Sequence, residues 1–214
     1  MQYKLIIFDW DGTLMDSIDK IVCCMQIAAK YAQLSVPSKK ILRNTIGLSL
    51  EHTFLTLFSE GTQTQQSIFI KVYREQYTQK NKMQTPLYPG IKAYLHTLHA
   101  QGYQLAIATG KSRQGLEYQL ESLQIKNLFK CVYCAEDSAS KPDPLMLNNI
   151  LKDLNCDVSQ ALMIGDASFD LQMAHNAGMD CLAVSYGAQQ TETLMKFKPL
   201  TILNSLPKQL GKYI

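Results

Sequence analysis

The sequence predicts an α/β fold, a doubly wound parallel sheet with a helical domain inserted into it. Short apolar segments recur along the chain with helical periodicity between them, which is typical of parallel strands that crossover helices bury on both faces. The predicted strands are residues 4–8, 104–108, 131–134, 161–164 and 181–184, with 201–203 as a further candidate. The predicted helices between them are residues 91–100, 113–123, 144–154 and 169–177. Right-handed crossovers would place the carboxyl ends of the strands at one edge, where such sheets bind ligands.

The helical insertion lies between the first and second predicted strands. That stretch is mostly helical, over residues 17–31, 38–44, 50–58 and 65–77, and is far too long for one crossover. The segment from Pro86 to Gly90 carries turn residues and marks the return to the sheet. We therefore predict a core domain of residues 1–16 and 86–214 and a helical domain of residues 17–85.

Composition excludes several classes of protein. The chain has 214 residues, 46% hydrophobic and 18% charged, which is ordinary for a globular protein and unlike a disordered or fibrous one. A net charge of +3 is too small to predict binding to nucleic acid or to an anionic membrane. No apolar run approaches the roughly 18 residues of a membrane span, and no signal-peptide pattern is present, so we expect a cytoplasmic protein without a membrane partner. The oligomeric state cannot be read from the sequence.

The cysteines do not indicate a metal site. Cys131 and Cys134 form a C-x-x-C pair, but no second pair or histidine pair completes a zinc site. We expect all six cysteines to be free thiols in a reducing compartment.

The first strand ends in two closely spaced carboxylates, Asp9 and Asp11, within the segment Asp-Trp-Asp-Gly-Thr. In extended chain this spacing puts the two Cα atoms about 7 Å apart with both side chains on one face. A solvated turn is the alternative, because Asp and Gly are common turn residues.

The second strand ends in Thr109 and Gly110, followed by Lys-Ser. A hydroxyl and backbone N–H groups at the start of a helix form a donor site of the size of a phosphate. The resemblance of Gly-Lys-Ser to a nucleotide P-loop fails, since that motif requires a glycine where Leu105 stands.

Two later motifs also lie at predicted strand ends or helix starts. Lys141 stands before Pro-Asp-Pro in a loop that leads into a helix, and Asp166 and Asp170 follow the fourth strand. A solvent-facing lysine and an acid pair that stabilises a helix N-terminus are the alternatives. The common position of these motifs favours one shared site.

These four motifs, in this order, resemble the haloacid dehalogenase-like superfamily of phosphotransferases along nearly the whole chain. Residues 13–17, the helical insertion after them and residues 176–179 are similar to the phosphoglycolate phosphatase-like branch. The resemblance implies a Rossmann-like core with a helical cap over the site. It does not specify the substrate.

The resemblance also implies a mechanism. Asp9 would be the nucleophile that forms an aspartyl-phosphate, and Asp11 the general acid and base. Asp9, Asp166 and the backbone carbonyl of Asp11 would hold Mg²⁺, and Asp170 would orient these ligands. Without a cation, carboxylates at this density would repel each other and a phosphate.

Further residues would contact the substrate. Lys141 would belong to the catalytic set, and Thr109 and the Gly110 N–H would bind phosphoryl oxygens. Arg43, with its loop in the helical domain, would face the leaving group. The predicted function is a Mg²⁺-dependent phosphomonoesterase for a small phosphate ester, with 2-phosphoglycolate as one candidate.

Three alternatives stay open to different degrees. A phosphomutase shares every motif. A dehalogenase is less favoured because Asp11 would have no task with a halide leaving group. A non-catalytic phospho-ligand binding protein is less favoured because the set of acids is complete.

Overall fold

Six parallel strands form a single sheet in the computed structural model, which describes residues 2–214. The strands are β1 (Leu5–Phe8), β2 (Gln104–Ala108), β3 (Phe129–Tyr133), β4 (Ala161–Gly165), β5 (Asp180–Val184) and β6 (Ile202–Leu203). Their order across the sheet is β3-β2-β1-β4-β5-β6, and every neighbouring pair is parallel. The predicted doubly wound α/β fold is confirmed.

Helices cover both faces of this sheet. Those outside the insertion are α5 (Ile91–Ala100), α6 (Arg113–Ser122), α7 (Leu145–Asp153), α8 (Ser168–Asn176), α9 (Thr191–Met195) and α10 (Leu206–Gln209). The central strand β1 is buried along its whole length. Its successive side chains point to opposite faces of the sheet, and each face carries a cluster of buried apolar residues. Ile6 and Phe8 belong to the cluster on one face, and Leu5 and Ile7 to the cluster on the other.

The register of β1 aligns the carboxyl ends of three strands. Phe8 pairs with Ile107 of β2 and with Ile164 of β4. Consequently the residues that follow these strands, Asp9, Thr109 and Asp166, emerge at the same edge of the sheet.

The insertion contains four helices, α1 (Ile18–Tyr31), α2 (Lys39–Arg43), α3 (Leu50–Leu57) and α4 (Gln63–Glu75), and a π-helical turn, Gln76–Lys80. We call these elements the cap helices. Their apolar side chains form a third cluster, in which the rings of Phe54, Phe58 and Phe69 pack with centroids 5.3 to 5.8 Å apart. The cluster also includes Ala188 from the loop after β5, and the division into a core domain of residues 1–16 and 86–214 and a helical domain of residues 17–85 stays a prediction.

Two expectations from the sequence, on the cysteines and on membrane spans, can be compared with the structure. All six cysteines are free in the structure, and Cys134 of the C-x-x-C pair is buried. In the part of the chain that the structure describes, none of the helices has the length and apolar character needed to cross a membrane.

Candidate active site

The strand ends and two neighbouring loops bring four buried charged side chains together. Lys141 lies before α7, and its Nζ donates to Asp9 Oδ1 and to Asp170 Oδ1, each at 2.6 Å. Asp166 joins them from the end of β4, and all four residues are at most 2% exposed. The structure therefore assembles Asp9, Lys141, Asp166 and Asp170 from distant parts of the sequence, at the edge where the motifs predict a site.

The three carboxylates are close enough to share one cation. Asp9, Asp166 and Asp170 each offer an oxygen, and these oxygens lie within 4.8 Å of one another. Opposite ligands of an octahedral Mg²⁺ ion are separated by about 4 Å, and Mg²⁺ prefers oxygen donors. Oxygen donors gathered this closely could hold such an ion.

Hydrogen bonds distinguish Asp166 from Asp170. Asp166 accepts one bond at each oxygen, from Thr13 Oγ1 at 2.8 Å and from the Ala188 N–H at 2.6 Å, so each oxygen retains a lone pair. Asp170 accepts from Lys141 at one oxygen and from the N–H groups of Asp166 and Ala167 at the other. This pattern favours Asp166 as a ligand and Asp170 as the residue that orients Lys141 and the loop.

Burial and mutual repulsion shift the pKa values of the cluster. Burial raises the pKa of Asp9 to about 7, although Lys141 acts in the opposite direction. Burial and the charges of Asp9 and Asp170 hold the pKa of Asp166 well above its usual range. Burial disfavours the Lys141 ammonium, but Asp170 and Asp9 outweigh it and raise its pKa. One ammonium among three carboxylates leaves excess negative charge that a divalent cation would neutralise.

Two glycines let the backbone approach the Asp166 carboxylate closely. A Cβ at Gly12 or at Gly187 would overlap the Asp166 side chain. Gly12 also has a φ of +92°, a conformation that favours glycine. The carboxylate is thus fixed between the turn after β1 and the loop after β5.

A methyl group at residue 187 should disturb the metal site without replacing any of its ligands. We expect Gly187→Ala to displace Asp166 and to weaken Mg²⁺ binding by about 10- to 100-fold, as loss of supporting contacts around a metal typically does. The measurement is the rise in the thermal unfolding midpoint during a MgCl₂ titration. Gly211→Ala is the matched control, because a Cβ there meets only the Tyr94 hydroxyl, at 3.9 Å. Equal Mg²⁺ responses in both variants would contradict the prediction.

Asp11 lies apart from the buried cluster and faces a cavity. Ser17 Oγ donates to Asp11 Oδ1 at 2.6 Å, and Lys111 Nζ lies 3.2 and 3.0 Å from the two carboxylate oxygens. The Lys111 side chain is only 8% exposed, so its pair with Asp11 is largely shielded from solvent. The two acids of the first motif therefore have different surroundings, and the Asp11 carbonyl as a metal ligand stays a prediction.

The cavity, of about 90 Å³, lies between the sheet edge and the cap helices. One water needs about 10–15 Å³ on this scale, so the cavity has room for a ligand of several atoms. The sheet side contributes Asp9, Asp11, Thr109, Gly110 and Lys111, and the cap side contributes Ile21, Met25, Ile46, Leu50, Tyr73 and Tyr77. Gly110 has no space for a side chain, because the Gly47 carbonyl of the cap lies against it.

Arg43 does not line the cavity. Its Nη2 donates to the Gly187 carbonyl at 2.9 Å and its Nε to the Ala188 carbonyl at 3.2 Å, while Nη1 lies 3.4 Å from Asp19. These contacts direct the guanidinium to the loop after β5, so the expected position at the leaving group is not the one observed. Arg43 instead joins α2 to the loop whose Ala188 N–H binds Asp166.

Sequence reasoning missed several contributors to the site. Gly187 and Ala188 lie in the loop that begins after β5 ends at Val184, and the expectation that ligands bind at the carboxyl ends of the strands could have indicated this loop. Tyr77 and Ser17 carry no such signal. Trp10, which stands between Asp9 and Asp11, is buried, and its indole N–H donates to Gln119 Oε1 of α6 at 2.7 Å.

Comparison with known proteins agrees with this geometry. The family model for haloacid dehalogenase-like hydrolases matches residues 6–184. The chain belongs to this family. It is 30% identical to the "Probable phosphatase IndB" of Dickeya dadantii over 97% of this chain and 92% of that protein. It is 29% identical to the phosphoglycolate phosphatase of Vibrio cholerae, over 92% and 90% of the two chains.

A solved structure gives the same result. A haloacid dehalogenase-like family hydrolase from Streptococcus pneumoniae has a TM-score of 0.84 at 28% identity, with 99% of this chain and 98% of that chain covered. The resemblance to the haloacid dehalogenase-like superfamily and its phosphoglycolate phosphatase-like branch is confirmed, as is the enzyme class, a phosphatase.

Proposed function

We propose that this haloacid dehalogenase-like hydrolase is a Mg²⁺-dependent phosphomonoesterase that acts through an aspartyl-phosphate on Asp9. The observation that carries the proposal is that the two acids of the first motif, Asp9 and Asp11, have different partners. Both acids line the cavity, but Asp9 is held by Lys141 within the buried carboxylate cluster, whereas Asp11 is held by Ser17 and Lys111 outside that cluster. A nucleophile and a separate acid–base group are what a two-step transfer requires.

In the first step, a carboxylate oxygen of Asp9 attacks phosphorus and the bond from phosphorus to the leaving oxygen breaks. Asp11 donates a proton to that oxygen, and the alcohol departs. In the second step, Asp11 takes a proton from a water that attacks the aspartyl-phosphate. The bond between phosphorus and Asp9 then breaks, which releases inorganic phosphate and restores both carboxyl groups.

The remaining residues bind charge during these steps. Thr109 and the Gly110 N–H lie at the cavity and would bind phosphoryl oxygens, and Lys141 would neutralise charge at Asp9. Asp9, Asp166 and the Asp11 carbonyl would hold Mg²⁺, with Asp170 orienting the set. When bound, Mg²⁺ stabilises the charge that develops on the transferred phosphoryl group.

The size of the cavity supports a small phosphorylated metabolite. Its volume of about 90 Å³ is suited to a phosphate group with a few further atoms, which favours a small ester. 2-Phosphoglycolate is one candidate, since the Vibrio cholerae relative is named for that substrate.

The test is a panel of small phosphate esters, including p-nitrophenyl phosphate and 2-phosphoglycolate, assayed with Mg²⁺ and with a chelator. We expect release of inorganic phosphate from p-nitrophenyl phosphate and from at least one metabolite, with rates that fall to background in chelator. A lack of phosphate release from every ester would reject the proposal. Transfer of phosphate to a sugar phosphate without its release would identify a phosphomutase instead.

A further inference from the structure

One cap residue, Tyr77, reaches the side chains around Asp11. Its hydroxyl oxygen lies 3.2 Å from Lys111 Nζ and 3.5 Å from Gln119 Nε2. The Lys111 ammonium also lies over the Tyr77 ring, 4.4 Å from its centroid, which adds a cation–π attraction. A residue of the insertion thus contacts the group that pairs with Asp11.

The backbone around Tyr77 is unusual. The turn Gln76–Lys80 is π-helical, and its closing bond runs from the Asn81 N–H to the Gln76 carbonyl at 2.8 Å. Such turns are rare and occur frequently at functional sites, because the wider turn changes which residues face a neighbouring element. Tyr73, one turn earlier on α4, stacks on Tyr77 with centroids 5.9 Å apart and supports its ring.

Lys111 needs such support. It is a long side chain with four rotatable bonds that would lose considerable conformational freedom on pairing with Asp11. The Tyr77 hydroxyl and ring restrict the ammonium from one side while Asp11 binds it from the other. Gln119 fixes Tyr77 in turn, and its Oε1 accepts from Trp10, the residue between Asp9 and Asp11.

We propose that Tyr77 is a positioning residue that acts through Lys111 to hold Asp11 where it can protonate the leaving oxygen. Because Tyr77 belongs to the cap helices, this arrangement links the position of the cap to the acid–base carboxylate. The inference rests on the proposed function, in which Asp11 is the general acid.

The test compares two classes of ester in the Tyr77→Phe variant, which keeps the ring and loses the hydroxyl. An alkyl phosphate needs a proton on its leaving oxygen, whereas p-nitrophenolate leaves without one. We expect kcat/KM to fall by about tenfold for the alkyl phosphate and by less than about twofold for p-nitrophenyl phosphate, since kcat/KM reports the phosphoryl-transfer step. Equal losses for the two esters, or no loss, would overturn the proposal.

One further variant, Asp11→Asn, separates failure of the inference from failure of the proposed function. Asp11→Asn, in the same assay, should show a larger split of the same kind. If Asp11→Asn shows the split and Tyr77→Phe does not, the positioning role is rejected and the proposed function stands. If Asp11→Asn shows no split, the acid role of Asp11 fails and the inference fails with it.

The route through Lys111 is tested by a double variant. Adding Tyr77→Phe to Lys111→Met should cause no further loss, because the ammonium that Tyr77 holds is already absent. Additive losses would place Tyr77 outside this route. Tyr118→Phe, on α6 beside Gln119 and 74% exposed, is the control for loss of a tyrosine hydroxyl.

Discussion

Replacing Asp9 with asparagine is expected to lower phosphate-ester hydrolysis by at least about a thousandfold, because an amide cannot form the aspartyl-phosphate. Asparagine has nearly the same volume, and its carbonyl oxygen can still accept from Lys141, which lies 2.6 Å from the wild-type carboxylate. The fold should therefore persist. The measurements are the steady-state rate with p-nitrophenyl phosphate and the labelling of acid-quenched protein by a radiolabelled phosphate ester.

The control for this variant is Asp157→Asn. Asp157 is exposed and precedes β4, so it lies at the opposite edge of the sheet from the site. Its replacement should leave hydrolysis and labelling as in the wild type. Phosphate label retained by Asp9→Asn, or a rate within tenfold of the wild type, would remove Asp9 from the role of nucleophile.

Replacing Lys141 with methionine should have the largest effect on stability. The Lys141 side chain is fully buried between Asp9 and Asp170, and methionine keeps an apolar stem but no charge. The two carboxylates would then be buried without their partner. Breaking a buried pair in this way costs about 3–5 kcal/mol in the free energy of unfolding. Urea unfolding of both proteins in chelator measures the difference, and we expect hydrolysis to be lost as well.

The difference in the free energy of unfolding between the wild type and Lys141→Met should depend on pH. Burial raises the pKa of Asp9 from an ordinary value of 3.8 to about 7 in the folded protein. A group whose pKa is higher in the folded than in the unfolded protein contributes stability that is fully present below its pKa in the unfolded chain. That stability is lost as the pH rises through its pKa in the folded protein. Removing the ammonium raises the Asp9 pKa further, so the variant should lose more stability than the wild type between about pH 5 and about pH 8. A difference that narrows with rising pH would contradict the assigned charges.

Two further variants keep this prediction testable if Lys141→Met folds poorly. The double variant Lys141→Met with Asp170→Asn should recover part of the loss, because one unpaired carboxylate is removed. Lys126→Met, the control, removes an exposed pair with Glu121, 2.8 Å long, and should leave the free energy of unfolding nearly unchanged.

The sequence predicts most of the sheet because its strands are short apolar runs between polar ends. The second strand is observed at Gln104–Ala108, where it is predicted. The third begins at Phe129, two residues earlier than predicted, because a register irregularity pairs Leu105 with Phe129 and the next residue, Ala106, with Cys131. Pairing between strands is a tertiary effect that the local pattern does not contain.

The grouping of Asp9, Lys141, Asp166 and Asp170 follows from one rule on the carboxyl ends of parallel strands. Which lysine binds which carboxylate does not, because Lys111 and Lys141 both stand in loops at that edge. Only the folded chain shows that Lys141 reaches Asp9 and Lys111 reaches Asp11. The position of Arg43 differs from the expected one for a similar reason. Its guanidinium donates to backbone carbonyls, and the sequence does not show which carbonyls will lie near it.

The contribution of Tyr77 to the site also cannot be predicted from helical periodicity. Helical spacing predicts a helix over residues 65–77, which would make Tyr77 its last residue. The α-helix ends at Glu75 and a π-helical turn continues the chain, so the direction of Tyr77 depends on a local departure from the 3.6-residue repeat.

The central position of β1 has a consequence for biosynthesis. Its neighbours in the sheet begin at Gln104 and Ala161, so a growing polypeptide emerging from the ribosome exposes Leu-Ile-Ile-Phe long before either partner exists. At a synthesis rate of about 5–20 residues per second, the second neighbouring strand, β4, would be made roughly 8–30 seconds after β1. During that interval an unpaired apolar edge is vulnerable to aggregation, and chaperone occupancy on the nascent chain is expected to be concentrated there.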